Sequence, residues 1–447
     1  MLDGDGKLDM ATVGGKAGAP HEGVVTIVRA TGGGAFAAPV EIPLGAEVSA
    51  ATMAAGDVDG DGKVDLVVVR LPVTSPQSDP PASIDVIRNL GGGAFAAPVT
   101  YTGGLHTLAL ALADVDGDGS LDILTGADGS PPGPSSDGLL VLKNQGDGTF
   151  ATGVSHPQLP LVIGLATADF DGDGAIDVAW VAPGGTLGIA LGDGAGGFGP
   201  PVLLPAASSW SSALSTGDLD GDGLVDLVLT DGGGSVSVRM NQGGGTFAAA
   251  AEYPLESWAT ITTNTVTLVD LDGDGLLDVA QVDGNGHVHV RLNQGGGVLG
   301  SALSFAAGDR GYGIAAGDLD GDGHPDLAIA NQTRLNVLPN RGDGTLVSRV
   351  DVPCGDGPRE AVLVDYDGDG RLDVITGNWA GGVSALRNLG GGAFAAPVKT
   401  ATDSVHGRAR DRRLRRRRHR RFWRSRRTSR AGSRRCAAAA TARSNRP

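Results

Sequence analysis

The sequence predicts an all-β fold, a β-propeller of seven or eight four-stranded blades, and three observations carry that reading. A nine-residue pattern, D-x-D-G-D-G-x-x-D, recurs along the chain at a period of about 50 residues, enough for one four-stranded blade. Short runs rich in Val, Leu and Ile alternate with Gly turns, the signal of antiparallel strands. No segment sustains a helical period.

Complete copies begin at 57, 114, 169, 218, 270, 318 and 365, so successive starts lie 57, 55, 49, 52, 48 and 47 residues apart. The opening "MLDGDGKLD" is a further copy with Met1 in place of the first Asp. Each unit reads as four strands, A to D. An apolar stretch such as "TLALALAD" is strand A and leads into the Asp motif. A β-rich run such as "DLVVVR" follows as strand B. Strand C ends in Asn, as in "IDVIRN" and "VSVRMN", and a Gly turn such as "LGGGAF" or "QGGGTF" leads to strand D, as in "AAPVTY". The Asp motif therefore joins A to B, and the Gly turn joins C to D. Eight B–C–D sets are present, and the first lacks its A strand.

The chain has 447 residues, 75 of them Gly, with 40% apolar and 4% aromatic residues. A core of Val, Leu, Ile and Ala is expected. The formal net charge of −16 hides two unlike parts. Residues 408–447 hold 18 of the 35 basic side chains and one of the 51 acidic ones, which leaves 17 basic against 50 acidic in residues 1–407. So acidic a body repels phosphate backbones and excludes nucleic acid as a partner. Two cysteines, Cys354 and Cys436, make neither a disulfide framework nor a zinc site. No run approaches the ~18 apolar residues of a membrane span.

Four carboxylates within nine residues repel one another unless a cation joins them. Asp at motif positions 1, 3 and 5 converges when the loop curls, and Gly at position 6 permits the bend. Position 7 offers a carbonyl, and Asp at position 9 closes the shell. Hard oxygen donors in a flexible loop suit Ca²⁺ rather than zinc or copper. An EF-hand is excluded, because position 12 of the copy at 57 is Val68 in a β run, where that loop needs a bidentate Glu. The expected ligands are Asp3, Asp5 and Asp9; Asp57, Asp59, Asp61 and Asp65; Asp114, Asp116, Asp118 and Asp122; Asp169, Asp171, Asp173 and Asp177; Asp218, Asp220, Asp222 and Asp226; Asp270, Asp272, Asp274 and Asp278; Asp318, Asp320, Asp322 and Asp326; and Asp365, Asp367, Asp369 and Asp373. One Ca²⁺ per motif gives up to eight.

These Asp motifs, with the turn N-x-G-x-G-x-F-x-x-P-V seen at Asn89 to Val99 and Asn388 to Val398, resemble FG-GAP or VCBS-type repeats, which are related to the propeller of integrin α subunits. The resemblance covers residues 1–407. It implies a β-propeller with calcium in the A–B loops, at the secreted or cell-surface location of adhesins and lectin-like proteins. Met1 removes a ligand from the first site, and Leu299 and Leu346 stand where the turn Phe usually sits.

The next motif is expected near residue 413, where the run "DRRLRRRRHRRFWRSRRTSR" stands. Read one base later, Arg codons of the form CGN become Asp or Gly codons. Arg413, Arg415, Arg417 and Arg421 then fall at the Asp offsets of the motif, and Arg416 and Arg418 at the Gly offsets. Residues 408–447 therefore read as a frameshifted ninth repeat, a disordered tail rather than a basic arm. On this reading the intact protein extends beyond this chain at both ends, and Gly, Ala and Arg richness points to a GC-rich bacterial gene.

Calcium loops in every repeat are structural first, so the ligand is sought elsewhere. In a propeller the B–C and D–A loops share the face opposite the Asp loops. Trp180, Trp210, Trp258 and Trp379 fall at or near such connections, as do Tyr312 and the long loops 71–82 and 127–138. Aromatic faces among Gly, Ser and Asp stack on sugars or anchor a protein partner; the competing reading is that they fill gaps between blades. Weaker candidates are the "RGD" at Arg341–Asp343, the pair His287 and His289, and Cys354, expected to be an inert buried thiol. The expected function is a non-catalytic, calcium-binding extracellular module for adhesion or ligand binding. The alternatives are a lectin-like glycan binder using the Trp-bearing face, and an accessory propeller of a secreted enzyme whose catalytic part lies outside this chain.

Overall fold

The computed structural model describes residues 2–400 except 6, 8, 17–18, 47, 73–80, 105–106, 128–137, 160–161, 163, 183–184, 206–210, 232–233, 256–265, 356 and 379–381. Contacts divide the chain into Met1–Val405 and His406–Pro447, and every described residue lies in the first unit. The predicted basic tail, with Cys436, falls outside the described residues. Among the described residues, no helix is long and apolar enough to cross a membrane.

The first unit is an eight-bladed β-propeller of antiparallel sheets. Blade 1 has three strands, Met10–Lys16, Ala19–Val28 and Val40–Ala46, which are strands B, C and D. The other seven have four strands in the order A-B-C-D. Blade 2 is typical: Val48–Gly56, Asp65–Pro72, Ser83–Ile87 and Val99–Thr102. Strands B begin on the last Asp of each motif, at Asp65, Asp122, Asp177, Asp226, Asp278, Asp326 and Asp373. A short Gly hairpin separates strands C and D, such as Asn89–Gly91 paired with Ala94–Phe95.

Strands B and C are apolar almost throughout because both of their faces pack against neighbouring blades. Asp177–Ala182 and Leu139–Leu142 are buried along their whole length. The core is consequently divided into eight clusters, each shared by two consecutive blades. Leu227 and Leu229 of blade 5 pack on Phe170 and Val181 of blade 4, and Leu327 and Ile329 of blade 7 on Leu271 and Val282 of blade 6. Burial of such side chains at ~1.5–3 kcal/mol each makes every blade depend on both neighbours. The A strands of blades 2 to 8 touch one after another, from Val48–Gly56 round to Pro358–Val364.

The ring closes between blades 8 and 1. Met10 and Val28 of blade 1 meet Val383 of blade 8, with Phe36 and Ile375 packed alongside, and the Phe36 ring lies 5.2 Å from Tyr366. Among the described residues this is the smallest of the clusters, and blade 1 shows no A strand there.

Leu299 and Leu346, the departures from the turn Phe, occupy the same structural place as Phe. Each bridges back to the Asn that opens its turn, Asn293 and Asn340, as Phe150 does to Asn144, and both are buried. A branched aliphatic side chain therefore fills the same gap between blades.

Candidate metal centres

The Asp loops curl through backbone hydrogen bonds to their own carboxylates. In the copy at 57, Asp57 accepts from Gly60 (2.8 Å) and Gly62 (2.8 Å), Asp59 from Asp61 (3.3 Å), and Asp61 from Lys63 (2.9 Å). The copies at 169, 218, 270, 318 and 365 repeat this pattern. Positive φ is needed at motif position 4 as well as 6, as at Gly60 (73°) and Gly62 (81°). A Cβ is disfavoured there, which explains both glycines of D-G-D-G.

The curl gathers oxygen donors. Asp57, Asp59 and Asp61 present carboxylate oxygens within 4.8 Å of one another, as do Asp114, Asp116 and Asp122; Asp169, Asp171 and Asp177; Asp218, Asp220 and Asp226; and Asp270, Asp272 and Asp278. Asp116 Oδ1 is buried with no hydrogen-bond partner. An all-oxygen donor set with an orphaned carboxylate oxygen fits a hard cation, so these triads could hold metal ions.

Position 9 has a second role that the motif alone does not reveal. Asp65 is fully buried. Its Oδ2 accepts the Val58 N–H (3.0 Å) and its Oδ1 the Asn89 N–H (2.7 Å). Asp226 does the same with Leu219 (2.8 Å) and Asn241 (2.7 Å). The last Asp thus pins the Asp loop to the end of strand C. The Asn completes the joint: Asn241 Nδ2 donates to Phe170 O of the preceding blade's Asp loop (2.9 Å) and to Val225 O (3.1 Å). Asn89, Asn144, Asn293, Asn340 and Asn388 make the same inter-blade bond. Sequence reasoning read this Asn only as the start of a turn; its recurrence at the end of strand C, directly before the Gly turn, is the signal that marks it.

Burial pushes the position-9 carboxyls up. Asp65, Asp122, Asp177 and Asp226 lie above the usual carboxylate range, and Asp278, Asp326 and Asp373 reach about 6, with backbone N–H groups opposing the shift. A carboxyl whose folded pKa exceeds its unfolded value binds more protons in the native state. Without metal, stability therefore falls as pH rises from about 4 through 6. Urea unfolding in chelator is expected to give a higher midpoint near pH 5 than near pH 7, and a cation that offsets the charge flattens the difference. An equal or lower midpoint near pH 5 contradicts this.

The expected geometry of faces holds. Asp loops meet the C–D turns of the next blade, as in Gly92 N to Asp3 O (3.2 Å) and Gly391 N to Asp320 O (3.2 Å). B–C loops meet D–A connections, as in Gly103 N to Ala82 O (2.8 Å) and Gln332 N to Arg310 O (2.9 Å).

The aromatic ligand face is corrected at Trp180. It lies within strand B of blade 4, opposite Leu165 and Gly188, only 1% exposed among Val115, Leu124 and Val141 of blade 3. The indole fills the gap between blades, and Gly188 leaves room for it. Tyr312 has the Arg359 guanidinium 3.6 Å from its ring centroid, so a cation–π contact covers one ring face. Trp210, Trp258 and Trp379 lie outside the described residues, as do most of the two long loops.

The weaker candidates resolve into ordinary structure. Arg341–Asp343 forms the same turn as Gln145–Asp147: Asp343 accepts the Thr345 N–H (3.0 Å) as Asp147 accepts that of Thr149 (2.9 Å). His289 is buried between Asp283 (3.3 Å) and Ser304 (2.9 Å), and His287 is 3.7 Å from the same carboxylate. Cys354 is buried, with its Sγ against the Gly355 carbonyl. A cleft of about 770 Å³ opens between blades 3 and 4 on the Asp-loop face, lined by Asp114, Asp173 and Asp193. It lies where blade 4 carries Gly192 in place of the bridging Asn.

A propeller whose A–B loops gather Asp oxygens in blade after blade is a repeat protein with a metal-compatible loop recurring along the chain. The chain belongs to the FG-GAP-like repeat family: its model matches residues 2–68, 169–229, 218–281, 270–329 and 318–376, more than half of the sequence. None of the curated proteins matches the chain. Solved structures share its fold. A lectin of Agrocybe aegerita, described as recognising non-reducing terminal N-acetylglucosamine, is 22% identical with a TM-score of 0.52, over 77% of this chain and 90% of its own. The BP39L lectin of Burkholderia pseudomallei is 18% identical with a TM-score of 0.54, over 78% of this chain and 99% of its own. Saccharomyces cerevisiae Sqt1 is 13% identical with a TM-score of 0.52, over 76% and 84%.

Proposed function

We propose that the chain is a non-catalytic, calcium-loaded binding module that works outside the cell, where calcium is millimolar. The observation that carries the reading is the repeated convergence of carboxylate oxygens within 4.8 Å in the Asp loops. All donors are oxygens, the loops are flexible in ligand number, and the sites lie at the surface; these properties suit Ca²⁺ at the modest affinity of extracellular modules. Calcium then ties strand A to strand B in each blade and leaves the connecting loops to engage a partner.

A glycan is the ligand class we favour over a protein. Two lectins share the fold, and the cleft between blades 3 and 4 offers carboxylates for sugar hydroxyls at a place where the inter-blade Asn is missing. The test is a glycan array probed with the calcium-loaded full chain and again in chelator. Glycan binding that disappears on chelation supports the reading. A folded, calcium-loaded chain that retains no glycan turns the choice to a protein ligand, and turnover of a glycoside by the purified chain overturns the non-catalytic assignment.

A further inference from the structure

We propose that the calcium sites fall into two contiguous arcs: a self-neutralised arc on blades 8, 1, 2 and 3, where side chains of the protein occupy the place of the metal charge, and a metal-dependent arc on blades 4 to 7. The proposal rests on the calcium reading above.

Two positions in each unit decide the difference. The first is motif position 7. It is Lys7, Lys63 and Arg371 in the copies at the chain start, 57 and 365, and each pairs with the position-5 carboxylate of its own loop, Asp5, Asp61 and Asp369. The second is the residue before the turn Asn or its equivalent. Arg88 reaches Asp59 (3.8 Å), Lys143 reaches Asp116 (3.4 Å) and Arg387 reaches Asp367 (3.6 Å). Every loop of the first arc thus holds at least one protein cation against its carboxylates.

Across the other arc both positions change character together. Position 7 is Ala175, Leu224, Leu276 and His324, and the residue before the turn is Leu191, Met240, Leu292 and Pro339. Leu191, Met240 and Leu292 lie beneath the next blade's Gly245, Gly297 and Gly344, as Arg387 lies beneath Gly34 across the ring closure. The place is the same and only the charge differs. Among the described residues, no basic side chain forms an ion pair with the Asp loops at 169, 218, 270 or 318.

The consequence is electrostatic. A divalent ion entering the first arc must displace an ammonium or guanidinium from a carboxylate and then sit beside it, and like charge at a few ångströms weakens binding. Exposure screens the penalty but does not remove it. In the second arc, among the described residues, the loop carboxylates pair with no ammonium or guanidinium, so an entering ion meets no such competitor. The self-neutralised arc surrounds the closure between blades 8 and 1, where the apolar cluster of described residues is smallest, so the ring can close before metal arrives.

The test counts calcium on the full chain by equilibrium dialysis, across free calcium from about 1 µM to 10 mM. Two steps are expected, with the tighter step about tenfold or more below the other. Ala175→Lys, which copies Lys63, should remove one tight site, and Lys63→Ala with Arg88→Ala should add one. Both variants change surface side chains, and circular dichroism verifies their fold. A single step with all sites alike, or variants that leave the number of tight sites unchanged, overturns the two-arc proposal and leaves the calcium reading intact. No calcium bound by the folded chain at any concentration overturns the calcium reading itself.

Discussion

Chelation of calcium is expected to lower the melting temperature of the full chain by about 10 °C or more relative to about 2 mM free calcium. An ion that binds only the native state contributes RT ln(1 + [L]/Kd), which is ~2 kcal/mol per site at a concentration some twentyfold above Kd. Loops at 169, 218, 270 and 318, where among the described residues no ammonium or guanidinium pairs with the carboxylates, together supply several kcal/mol. Carboxyls such as Asp278 and Asp326, pushed to about 6 by burial, add to the cost of the empty state at neutral pH. Calorimetry in calcium and in chelator checks this. A cooperative transition that does not move with calcium would make the Asp loops solvated turns.

Asp226→Ala is expected to destabilise the propeller by roughly 2–5 kcal/mol even in chelator, because it orphans two buried N–H groups, those of Leu219 and Asn241. Asp222→Ala, at the exposed position 5 of the same motif, should change metal-free stability by no more than ~0.5 kcal/mol and reduce only the gain that calcium brings. Denaturant unfolding of both variants, each with and without calcium, separates the roles. Equal losses in chelator would deny position 9 its special place. The Asn that shares the joint makes a related prediction: Asn241→Ala leaves Phe170 O and Val225 O without their shared donor and weakens the contact between blades 4 and 5, by ~1–3 kcal/mol.

Much of the architecture was legible in the chain. The period of the Asp motif located the A–B connections, and the Gly turns located the C–D connections. The strand assignments follow because a blade buried on both faces must be apolar at successive residues, as in "DLVVV" and "DVAWVA". Eight B–C–D sets could be counted, and the structure places eight blades. The candidate site was legible as a set of acidic residues, although not in its division of labour. Positions 1 and 3 gather oxygens with position 5 in the copy at 57 and with position 9 in the copies at 114, 169, 218 and 270, and position 9 also holds backbone N–H groups, as Asp65 and Asp226 do.

Trp180 shows why the ligand face was harder to read. An aromatic residue near a connection looks the same in sequence whether it faces solvent or the next blade. Which of the two holds depends on the partner blade: Gly188 across the strand and Val115 from blade 3 make the pocket that the indole fills. Tyr312 is similar, since Arg359, which comes from the start of the following blade, covers its ring.

By itself, then, the sequence determined what repeats: the blade as a unit, its oxygen-rich loop and the apolar strands on either side, because these depend on residues within ~50 positions of one another and on short-range backbone chemistry. Tertiary structure alone decided what crosses from one blade to the next. The Asn bond to the preceding loop, the meeting of Phe36 with Tyr366 that closes the ring and the burial of Trp180 all join groups far apart in the chain. Such contacts exist only once the blades have packed, and no local pattern encodes which partner a side chain will meet.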